Sequence, residues 1–232
     1  MGAGGRPPKD DRLMVSGMYF ILRTGQPWRD LPKEFGPWSS VYTRFRRWSR
    51  SGLWSQMLAL LTADACGAIR SVDCTHIKVH QDASNAAGGA KAQAIGKTKG
   101  GSNTKLAVIV DGLGRAVGLN LVPGNRHDLK AVELLMNKFA GCFVLADRGF
   151  DAKAFREKLL GLGATPCIPP RQTNLIQYHY SKLAYAHRHV VENFFARIKR
   201  RRRISTRYEK LSETFLAFVT FATVLDWLNF EV

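Results

Sequence analysis

The order of strand-like and helix-like patterns after residue 68 constrains the fold of this chain more than any other feature. Apolar or alternating segments typical of strands occupy residues 71–80, 105–111, 116–123, 142–147 and 165–170. Helical patterns occupy residues 129–139, 152–162, 181–203 and 212–230. The turn GLG joins the second and third strands as a hairpin. This order predicts the α/β class, with a mixed five-stranded sheet, flanking helices, and a hairpin before the parallel part.

A basic, tryptophan-rich helical pattern precedes the strands. The expected caps of its first two helices are Asp10 or Asp11, and Ser39 or Ser40. A third helix is predicted over residues 53–64, and residues 24–38 are predicted to form a loop with short turns. Four tryptophans lie in this segment, and we expect them in its core. The chain therefore divides into a helical module, residues 1–66, and a second domain, residues 67–232.

The charge of the chain indicates a polyanionic partner. With 35 Lys and Arg against 18 Asp and Glu, the formal net charge is +17. Nucleic acid is the first candidate for such a partner, and an anionic membrane surface is the second. The alternative is a ribosomal-type protein or a basic protein whose charge serves only its solubility. Residues 215–224 form the longest apolar run and are too few to span a bilayer. The apolar C-terminal helix is expected to pack in the core or form a dimer surface.

The four cysteines are scattered singly, at Cys66, Cys74, Cys142 and Cys167. A structural zinc site is therefore not expected, and reduced thiols in a cytosolic protein are the plain interpretation. The segment GKTKGG lacks the first glycine of a phosphate-binding loop, because position 91 is Lys91. Residues 83–103 are expected to form a flexible, lysine-rich loop that lies along a DNA backbone.

Two aspartates occupy strand patterns where a carboxylate is costly unless it is paired or binds a metal. Asp73 lies between Val72 and Cys74, and Asp147 ends the apolar strand CFVLAD. The crevice beyond the carboxyl ends of strands is where α/β sheets bind ligands. A strand-end aspartate that caps the next element remains the alternative.

Helical periodicity over residues 181–203 gathers polar side chains on one narrow face: Tyr185, Arg188, Glu192 and Lys199. Apolar residues such as Val191 and Phe194 cluster on the opposite face, which must pack on the core. The alternative is a solvated face with an ordinary Arg–Glu pair four residues apart. Three carboxylates on separate elements, Asp73, Asp147 and Glu192, suggest a Mg²⁺ or Mn²⁺ site for phosphoryl transfer, since two such ions are held by oxygen ligands.

At this point the chain resembles a known family, the DDE transposases of bacterial insertion sequences, particularly the family numbered five. The polar helix face is similar to that group's pattern Y-x2-R-x3-E-x6-K, and DRGFD at 147–151 is similar to its D-x-G-[YF]-D. VDCTHIK, ILRTGQPWRDLP, GPWSSVYTRFRRW and RYEKL also resemble family segments. The similarity covers nearly the whole chain.

The resemblance implies a ribonuclease H-like fold for residues 67–232 and a DNA-binding role for residues 1–66. It implies Asp73, Asp147 and Glu192 as catalytic ligands of two Mg²⁺ or Mn²⁺ ions. It implies DNA contacts around Glu192, and the expected DNA-binding residues are Tyr185, Arg188, Lys199, Arg197, Arg44 and Arg47. The expected partners are double-stranded DNA, at element ends and target, and at least a second copy of the chain, with no membrane and no small-molecule substrate. The expected location is the bacterial cytoplasm.

Relatives carry further helical residues before the RPP segment, so the helical module is expected to be shortened. Two other functions stay open: a DNA-binding remnant or regulator without transposition activity, and a host ribonuclease H-like nuclease. Asp128 and Asp151 are expected to cap the helices that follow them. Asp151 is also a candidate for supporting the metal site by holding its ligands. Asp111 is expected in the hairpin turn, and His127 to be structural.

Overall fold

One mixed sheet organises the computed structural model, which describes residues 10–63, 65 and 67–229. The strands of this described part are β1 (Ile69–Val79), β2 (Gly96–Thr98), β3 (Gly101–Asp111), β4 (Ala116–Pro123), β5 (Phe143–Ala146), β6 (Thr165–Cys167) and β7 (Thr206–Arg207). Leaving aside the short β2 and β7, the order across the sheet is β4-β3-β1-β5-β6. β3 is antiparallel to β1 and β4, whereas β5 is parallel to β1 and β6 is parallel to β5.

This strand order is that of a ribonuclease H-like sheet, so the predicted fold class is confirmed. The β3–β4 hairpin follows β1, and the chain then crosses over twice to add β5 and β6 on the other side of β1. The five strand patterns expected from the sequence all occur, each within a few residues of its predicted ends. β1 thus occupies the middle of the sheet, with the parallel strands on one side and the hairpin on the other.

Helices surround the sheet. They are α1 (Asp11–Thr24), α2 (Trp38–Arg50), α3 (Leu53–Ala63), α4 (Gly89–Ala92), α5 (Asp128–Ala131), α6 (Lys153–Gly161), α7 (Lys182–Ala186), α8 (His189–Lys199), α9 (Arg202–Ser205) and α10 (Ser212–Trp227). Five 3₁₀ turns complete the described part: Trp28–Asp30, Lys33–Phe35, Gln81–Ala83, Glu133–Phe139 and Arg148–Phe150. No helix within the described residues is long and apolar enough to cross a membrane.

Two hydrophobic clusters lie on opposite faces of the sheet. Along β3, Leu106 and Val108 belong to one cluster, while the alternating Ala107 and Ile109 belong to the other. The first cluster also contains apolar residues of α1, α2, α8 and α10, and the second contains residues of α6. The N-terminal helices therefore share a core with the sheet, although the boundary at residues 66 and 67 stays a prediction.

The N-terminal helices agree with the sequence except at one cap. The Asp10 carboxylate accepts a hydrogen bond from the backbone N–H of Arg12 at 2.9 Å and caps α1 as expected. The expected serine cap of α2 is wrong, because α2 begins at Trp38 and Pro37 occupies its cap position. Trp54 is buried and Trp28 and Trp48 pack against the first cluster, whereas Trp38 is 37% exposed. α10 buries its phenylalanines, which confirms the core-packing expectation.

The single helix predicted over residues 181–203 is wrong, because three shorter helices replace it. α7 ends at Ala186, a turn at His187 and Arg188 follows, and α8 then runs to Lys199 before α9 begins. The His187 Nε2 atom lies 2.7 Å from the backbone oxygen of Gly112 in the β3–β4 turn. Tertiary contact with the hairpin thus accompanies the break in a segment whose periodicity continues without interruption.

The capping predictions for Asp128 and Asp151 are also wrong. His127 and Ala152 occupy the cap positions of α5 and α6. Asp128 instead accepts a hydrogen bond from the Lys105 ammonium at 2.6 Å. The helix expected over residues 129–139 is a single α turn followed by a 3₁₀ turn. Residues 83–103 contain α4 and β2 and bury Ala83 and Ile95, so the expected flexible loop is largely ordered.

Candidate active site

Strand register brings Asp73 and Asp147 together. Val72 and Ala146 are the last paired residues of the parallel strands β1 and β5, and one aspartate directly follows each of them. The two carboxylates are close enough for the charge of Asp147 to raise the pKa of Asp73. Two acidic groups therefore lie side by side where the parallel pairing of β1 and β5 stops, Asp73 within β1 and Asp147 directly after the carboxyl end of β5.

Asp73 is partly withdrawn from water, and its neighbours oppose one another. Burial raises the pKa of Asp73 most, whereas the backbone N–H of Cys74 and the guanidinium of Arg188 lower it. The N–H of Cys74 donates to the Asp73 Oδ1 atom at 2.7 Å. One carboxylate oxygen is thus held by the backbone, and the other faces the cation supplied by α8.

Asp147 has an oxygen without a partner. Its buried Oδ1 atom accepts no hydrogen bond from any group in the described part of the chain. A Cβ atom at Gly149 would lie only 2.9 Å from this oxygen and 3.4 Å from Oδ2. Glycine at the third position of the D-x-G motif therefore leaves room for the carboxylate. A buried carboxylate oxygen without a donor is a group that a cation would satisfy.

The chain enters α8 with Arg188, which links two of the candidate carboxylates. Its guanidinium donates to the Asp73 Oδ2 atom at 3.1 Å and also donates to Glu192 Oε1. The Arg188 side chain is 17% exposed and that of Glu192 55% exposed. The apolar face of α8 is buried as predicted, with Val191 and Phe194 in the core. Arg188, directly before α8, and Glu192 in its first turn thus lie beside the part of β1 that carries Asp73.

Lys199 and Tyr185 lie on either side of this group along the chain. The Lys199 Nζ atom donates to the Thr75 hydroxyl at 2.5 Å. Thr75 is two residues after Asp73 and therefore lies on the same face of β1. Burial lowers the pKa of Lys199. The ring of Tyr185 packs near the Arg188 guanidinium, with 5.9 Å between the guanidinium carbon and the ring centroid.

Three other predicted residues lie outside this cluster. Arg197 donates to Asp226 at 2.7 and 3.0 Å and to the backbone oxygen of Gly114 at 2.7 Å. Arg44 pairs with Asp11 in the N-terminal helices and lies 5.5 Å from the ring centroid of Trp48. Arg47 is exposed on α2. The first two arginines thus have structural partners, and only Arg47 presents its charge to solvent.

The donor chemistry of the cluster fits a hard divalent cation, although its arrangement is not that of a closed site. Asp73, Asp147 and Glu192 offer carboxylate oxygens, one of them buried and unpartnered. Across the described ranges, no three His, Cys, Asp or Glu side chains converge on one point that could hold a metal ion. The Arg188 guanidinium instead joins Asp73 to Glu192 directly.

Two contacts of the cluster were not predicted from the sequence. The Thr75 hydroxyl holds Lys199, and Gly149 makes room for Asp147. The spacing of Thr75 from Asp73 could have indicated that both face the same side of the strand. No spacing could have indicated which lysine the hydroxyl would meet 124 residues later in the chain.

Comparison with protein families gives two matches that together cover nearly all of the chain. Residues 64–227 match the family described as "Transposase DDE domain". Residues 1–58 match the family described as "Putative transposase of IS4/5 family". The boundary between the two matches lies near the change from helical to strand patterns.

Individual relatives are similar over shorter stretches. A Brucella ovis protein named "Putative transposase for insertion sequence element IS6501" is 33% identical over 54% of this chain and 98% of its own length. The Sinorhizobium fredii protein "Uncharacterized protein y4sN" is 34% identical over 34% of this chain. That match spans 64% of the Sinorhizobium protein, just under two thirds of its length.

One match among solved structures is "Crystal structure of the Mos1 Strand Transfer Complex". The match covers 93% of this chain and 81% of that chain, with 14% identity and a TM-score of 0.31. A score this low does not define a common fold, so the fold assignment depends on the strand order and on the family match.

Proposed function

Since the chain belongs to the transposase DDE domain family, we propose that it binds the ends of an insertion sequence and catalyses cleavage and strand transfer of DNA. In the first reaction, water attacks a phosphodiester, the bond from phosphorus to the 3′ oxygen breaks, and a 3′-hydroxyl is released. In the second, that hydroxyl attacks a phosphodiester of target DNA and displaces another 3′ oxygen.

The observation that carries this proposal is the juxtaposition of Asp73 and Asp147 on the neighbouring central strands β1 and β5, with Arg188 bonded to Asp73. Their carboxylates follow the last paired residues of two parallel strands. α8 packs against β1 and places Arg188 on Asp73. Acids and cations that lie together in this way are suited to binding a phosphodiester, because the acids alone would repel its negative charge.

Asp73, Asp147 and Glu192 would together hold Mg²⁺ or Mn²⁺, and we expect two ions. Such ions lower the pKa of bound water and stabilise the oxygens that attack and leave during phosphoryl transfer. The unpartnered Oδ1 of Asp147 and the hard-oxygen donor set support this assignment. Gly149 allows Asp147 to keep its present orientation.

Arg188 would serve the DNA. For Asp73 and Glu192 to share a cation, the guanidinium has to leave at least one of them, and a DNA phosphate accepts its forked donors as a carboxylate does. Lys199, held by the Thr75 hydroxyl, and Tyr185 would contact the backbone on either side. These residues would orient the scissile phosphate and offset the charge of the carboxylates.

The helical module and the exposed cations would supply affinity for DNA ends. Arg47 on α2 and Lys97 in β2 are exposed, and the whole chain carries a net charge of +17. Arg44 and Arg197 are left out of this set because each already pairs with an aspartate. Joining two ends to one target requires at least two copies of the chain.

The test is nicking of linear DNA that carries the sequences flanking the gene, with Mg²⁺ or Mn²⁺ as the variable. The parent is expected to cut at the element ends only when the metal is present. Glu192→Gln is expected to abolish detectable cleavage while DNA binding, measured by anisotropy, stays within about twofold. Cleavage by the variant at the rate of the parent would disprove the role of Glu192.

The same experiment separates the two other functions. Binding of the end sequences without cutting in any metal would identify a DNA-binding remnant. Cutting that depends on DNA structure and ignores the end sequences would identify a host nuclease. Metal-dependent cutting at the element ends, followed by joining to a second DNA, is the result that supports a transposase.

A further inference from the structure

A loop segment that follows β6 is hydrogen-bonded to the D-x-G-F-D motif, in the turn directly after Asp147. We call residues 171–177 the strap. The Arg171 guanidinium donates to the backbone oxygens of Arg148 and Gly149, at 3.2 and 2.9 Å. These are the two residues directly after Asp147. The Arg171 side chain therefore contacts backbone oxygens of the candidate active site and none of its carboxylates.

Asp151, the last residue of the motif, anchors the strap. Its Oδ2 atom accepts hydrogen bonds from the backbone N–H of Arg171 and from the Asn174 side-chain amide, both at 2.6 Å. Its Oδ1 atom accepts from Arg156, whose guanidinium also donates to the backbone oxygen of Ile168 at 2.8 Å. The Asp151 side chain is 1% exposed, so this carboxylate is buried and fully paired.

The strap is folded on itself as well. The Gln177 side-chain amide donates to the backbone oxygens of Arg171 and Asn174, at 3.1 and 2.6 Å. The Arg156 guanidinium carbon lies 4.2 Å from the ring centroid of Tyr178. A segment without regular secondary structure is thus fixed at several points, and the forked donor of Arg171 lies at its start.

This arrangement matters because Asp147 has little else to orient it. Its Oδ1 atom accepts no hydrogen bond within the described residues. The direction of the carboxylate therefore depends on the backbone of the turn, which is closed by bonds from the N–H groups of Phe150 and Asp151 to the oxygens of Asp147 and Arg148. Arg171 bonds to the same turn, at the oxygens of Arg148 and Gly149.

We propose that Arg171 is a positioning residue, which aims the carboxylate of Asp147 by fixing the Arg148–Gly149 turn, and that Asp151 is the anchor that holds Arg171 in place. The proposal rests on the proposed function for the role of Asp147 as a metal ligand. It assigns Asp151 to the strap and not to direct support of a metal ligand. The hydrogen-bond partners of Asp151 are Arg156, Arg171 and Asn174.

The first test does not involve metal. Amide hydrogen exchange of Phe150 and Asp151 reports opening of the turn. Arg171→Met is expected to speed exchange at both amides at least about tenfold. Arg148→Met, which removes an exposed arginine of equal length and charge from the same turn, is expected to leave the rates unchanged. Equal rates in the parent and Arg171→Met would overturn the proposal, whatever the metal chemistry.

The second test measures the affinity of the full chain for Mn²⁺ by electron paramagnetic resonance. Loss of a residue that orients a metal ligand typically weakens metal binding about tenfold or more, and Arg171→Met is expected to do so. If the loss of positive charge were the only effect, Arg171→Met and Arg148→Met would both bind Mn²⁺ more tightly than the parent. Tighter or unchanged binding in Arg171→Met would therefore overturn the positioning role.

The two failures can be told apart with Asp147→Asn. If Asp147→Asn binds Mn²⁺ as the parent does, the proposed metal site is wrong. If Asp147→Asn loses binding while Arg171→Met keeps it, only the role of Arg171 is wrong. Should Arg171→Met fail to fold, Arg171→Lys takes its place, because lysine keeps the charge but lacks the rigid, planar fork of donors that spans the two carbonyls. Faster exchange and weaker Mn²⁺ binding are expected, and parental values would overturn the proposal.

Discussion

Two clusters of arginine and acid lie at the two ends of the basic segment of residues 188–203, and they differ in exposure to water. At its start, Arg188 bridges Asp73 and Glu192, and the Glu192 side chain is 55% exposed. At its end, Arg203 donates to Glu209 at 2.6 Å, and both side chains are nearly excluded from water. The Arg188 cluster is open to solvent, whereas the Arg203 cluster is closed to solvent, although the buried Glu209 Oε2 atom accepts no hydrogen bond within the described residues.

The closed cluster joins the N-terminal helices to the sheet. Arg203 also donates to the backbone oxygens of Gly25 and Gln26 at the end of α1, at 3.2 and 3.1 Å. Its neighbour Arg207 is fully buried and donates to the Thr104 hydroxyl of β3 at 2.6 Å. Burial lowers the pKa of Arg207 to about 10. The RYEKL segment therefore has a structural role.

The comparison teaches that residue type does not separate a structural ion pair from a functional one. A buried ion pair resists change because either partner alone would be a buried, uncompensated charge. An exposed and unevenly satisfied pair can exchange partners at little cost. We therefore expect substitutions in the closed cluster to affect stability, and substitutions in the open cluster to affect chemistry and binding.

The largest expected effect is on stability, from Arg203→Met. This change leaves Glu209 buried without its cation and removes the bonds to Gly25 and Gln26, so we expect a loss of about 3 to 5 kcal/mol in the free energy of unfolding. Urea denaturation measures it. Arg202→Met, at the exposed neighbouring position, is the matched control and is expected to change stability by less than about 0.5 kcal/mol. Equal effects at both positions would remove the distinction between the clusters.

A glycine in each region gives a second test. Gly149→Ala would place a Cβ atom 2.9 Å from Asp147 Oδ1. A displaced catalytic group can cost about a hundredfold in rate, and we expect such a loss of cleavage with stability changed by less than about 1 kcal/mol. Gly25→Ala should do the reverse, because Gly25 has a φ of +72° and its Cβ would meet that of Arg202 at 3.0 Å.

For Gly25→Ala we expect a loss of about 1 to 2 kcal/mol in stability, the cost of a left-handed conformation for alanine. Below its unfolding temperature, this variant is expected to cleave DNA at the rate of the parent. Thermal denaturation and single-turnover cleavage, measured on both variants, give four values. A slow Gly25→Ala enzyme or an unstable Gly149→Ala enzyme would contradict the assignment of each glycine.

The sequence predicts most of the fold because strand and helix periods are local properties. All five main strands and the polar face of Glu192 follow from periodicity, and the class follows from their order. The pairing of Asp73 with Asp147 does not, because it depends on the register of β1 against β5. The sequence grouped these two aspartates as candidate metal ligands by residue type and by the family resemblance, and neither gave the register that sets them side by side.

The wrong predictions have a common cause, since tertiary partners overrode local rules. An aspartate before a helical pattern is a good cap, yet Asp128 and Asp151 are held by Lys105 and Arg156 instead. The helical period continues through residues 181–203, yet the chain breaks where His187 meets the β3–β4 turn. Lys105 and the β3–β4 turn lie far outside the sequence window from which a cap or a helix is predicted, whereas Arg156 lies only five residues after Asp151 and was within reach of that window.

The next effect is smaller and concerns metal affinity. Arg188→Gln removes the guanidinium that joins Asp73 to Glu192, so Mn²⁺ should bind the DNA-free protein about tenfold more tightly, or about 1.4 kcal/mol. Isothermal titration measures this affinity. Lys199→Gln removes the same charge from the same helix, but its partner is the Thr75 hydroxyl; its effect should stay within about twofold. Arg188→Gln binding no tighter than the parent would show that the guanidinium does not compete with metal.

The smallest expected effect distinguishes two cations on α8 itself. Lys199 is bonded to a neutral hydroxyl and is available to a phosphate, whereas Arg197 is bonded at two atoms to Asp226. Each phosphate contact contributes about 0.9 to the slope of log K against log salt for duplex DNA. Lys199→Met should therefore lower the slope by about 0.9, and Arg197→Met should leave it unchanged while reducing stability. The opposite result would return Arg197 to the DNA-binding set and show that an arginine paired at two atoms with an aspartate can also release its cation to DNA.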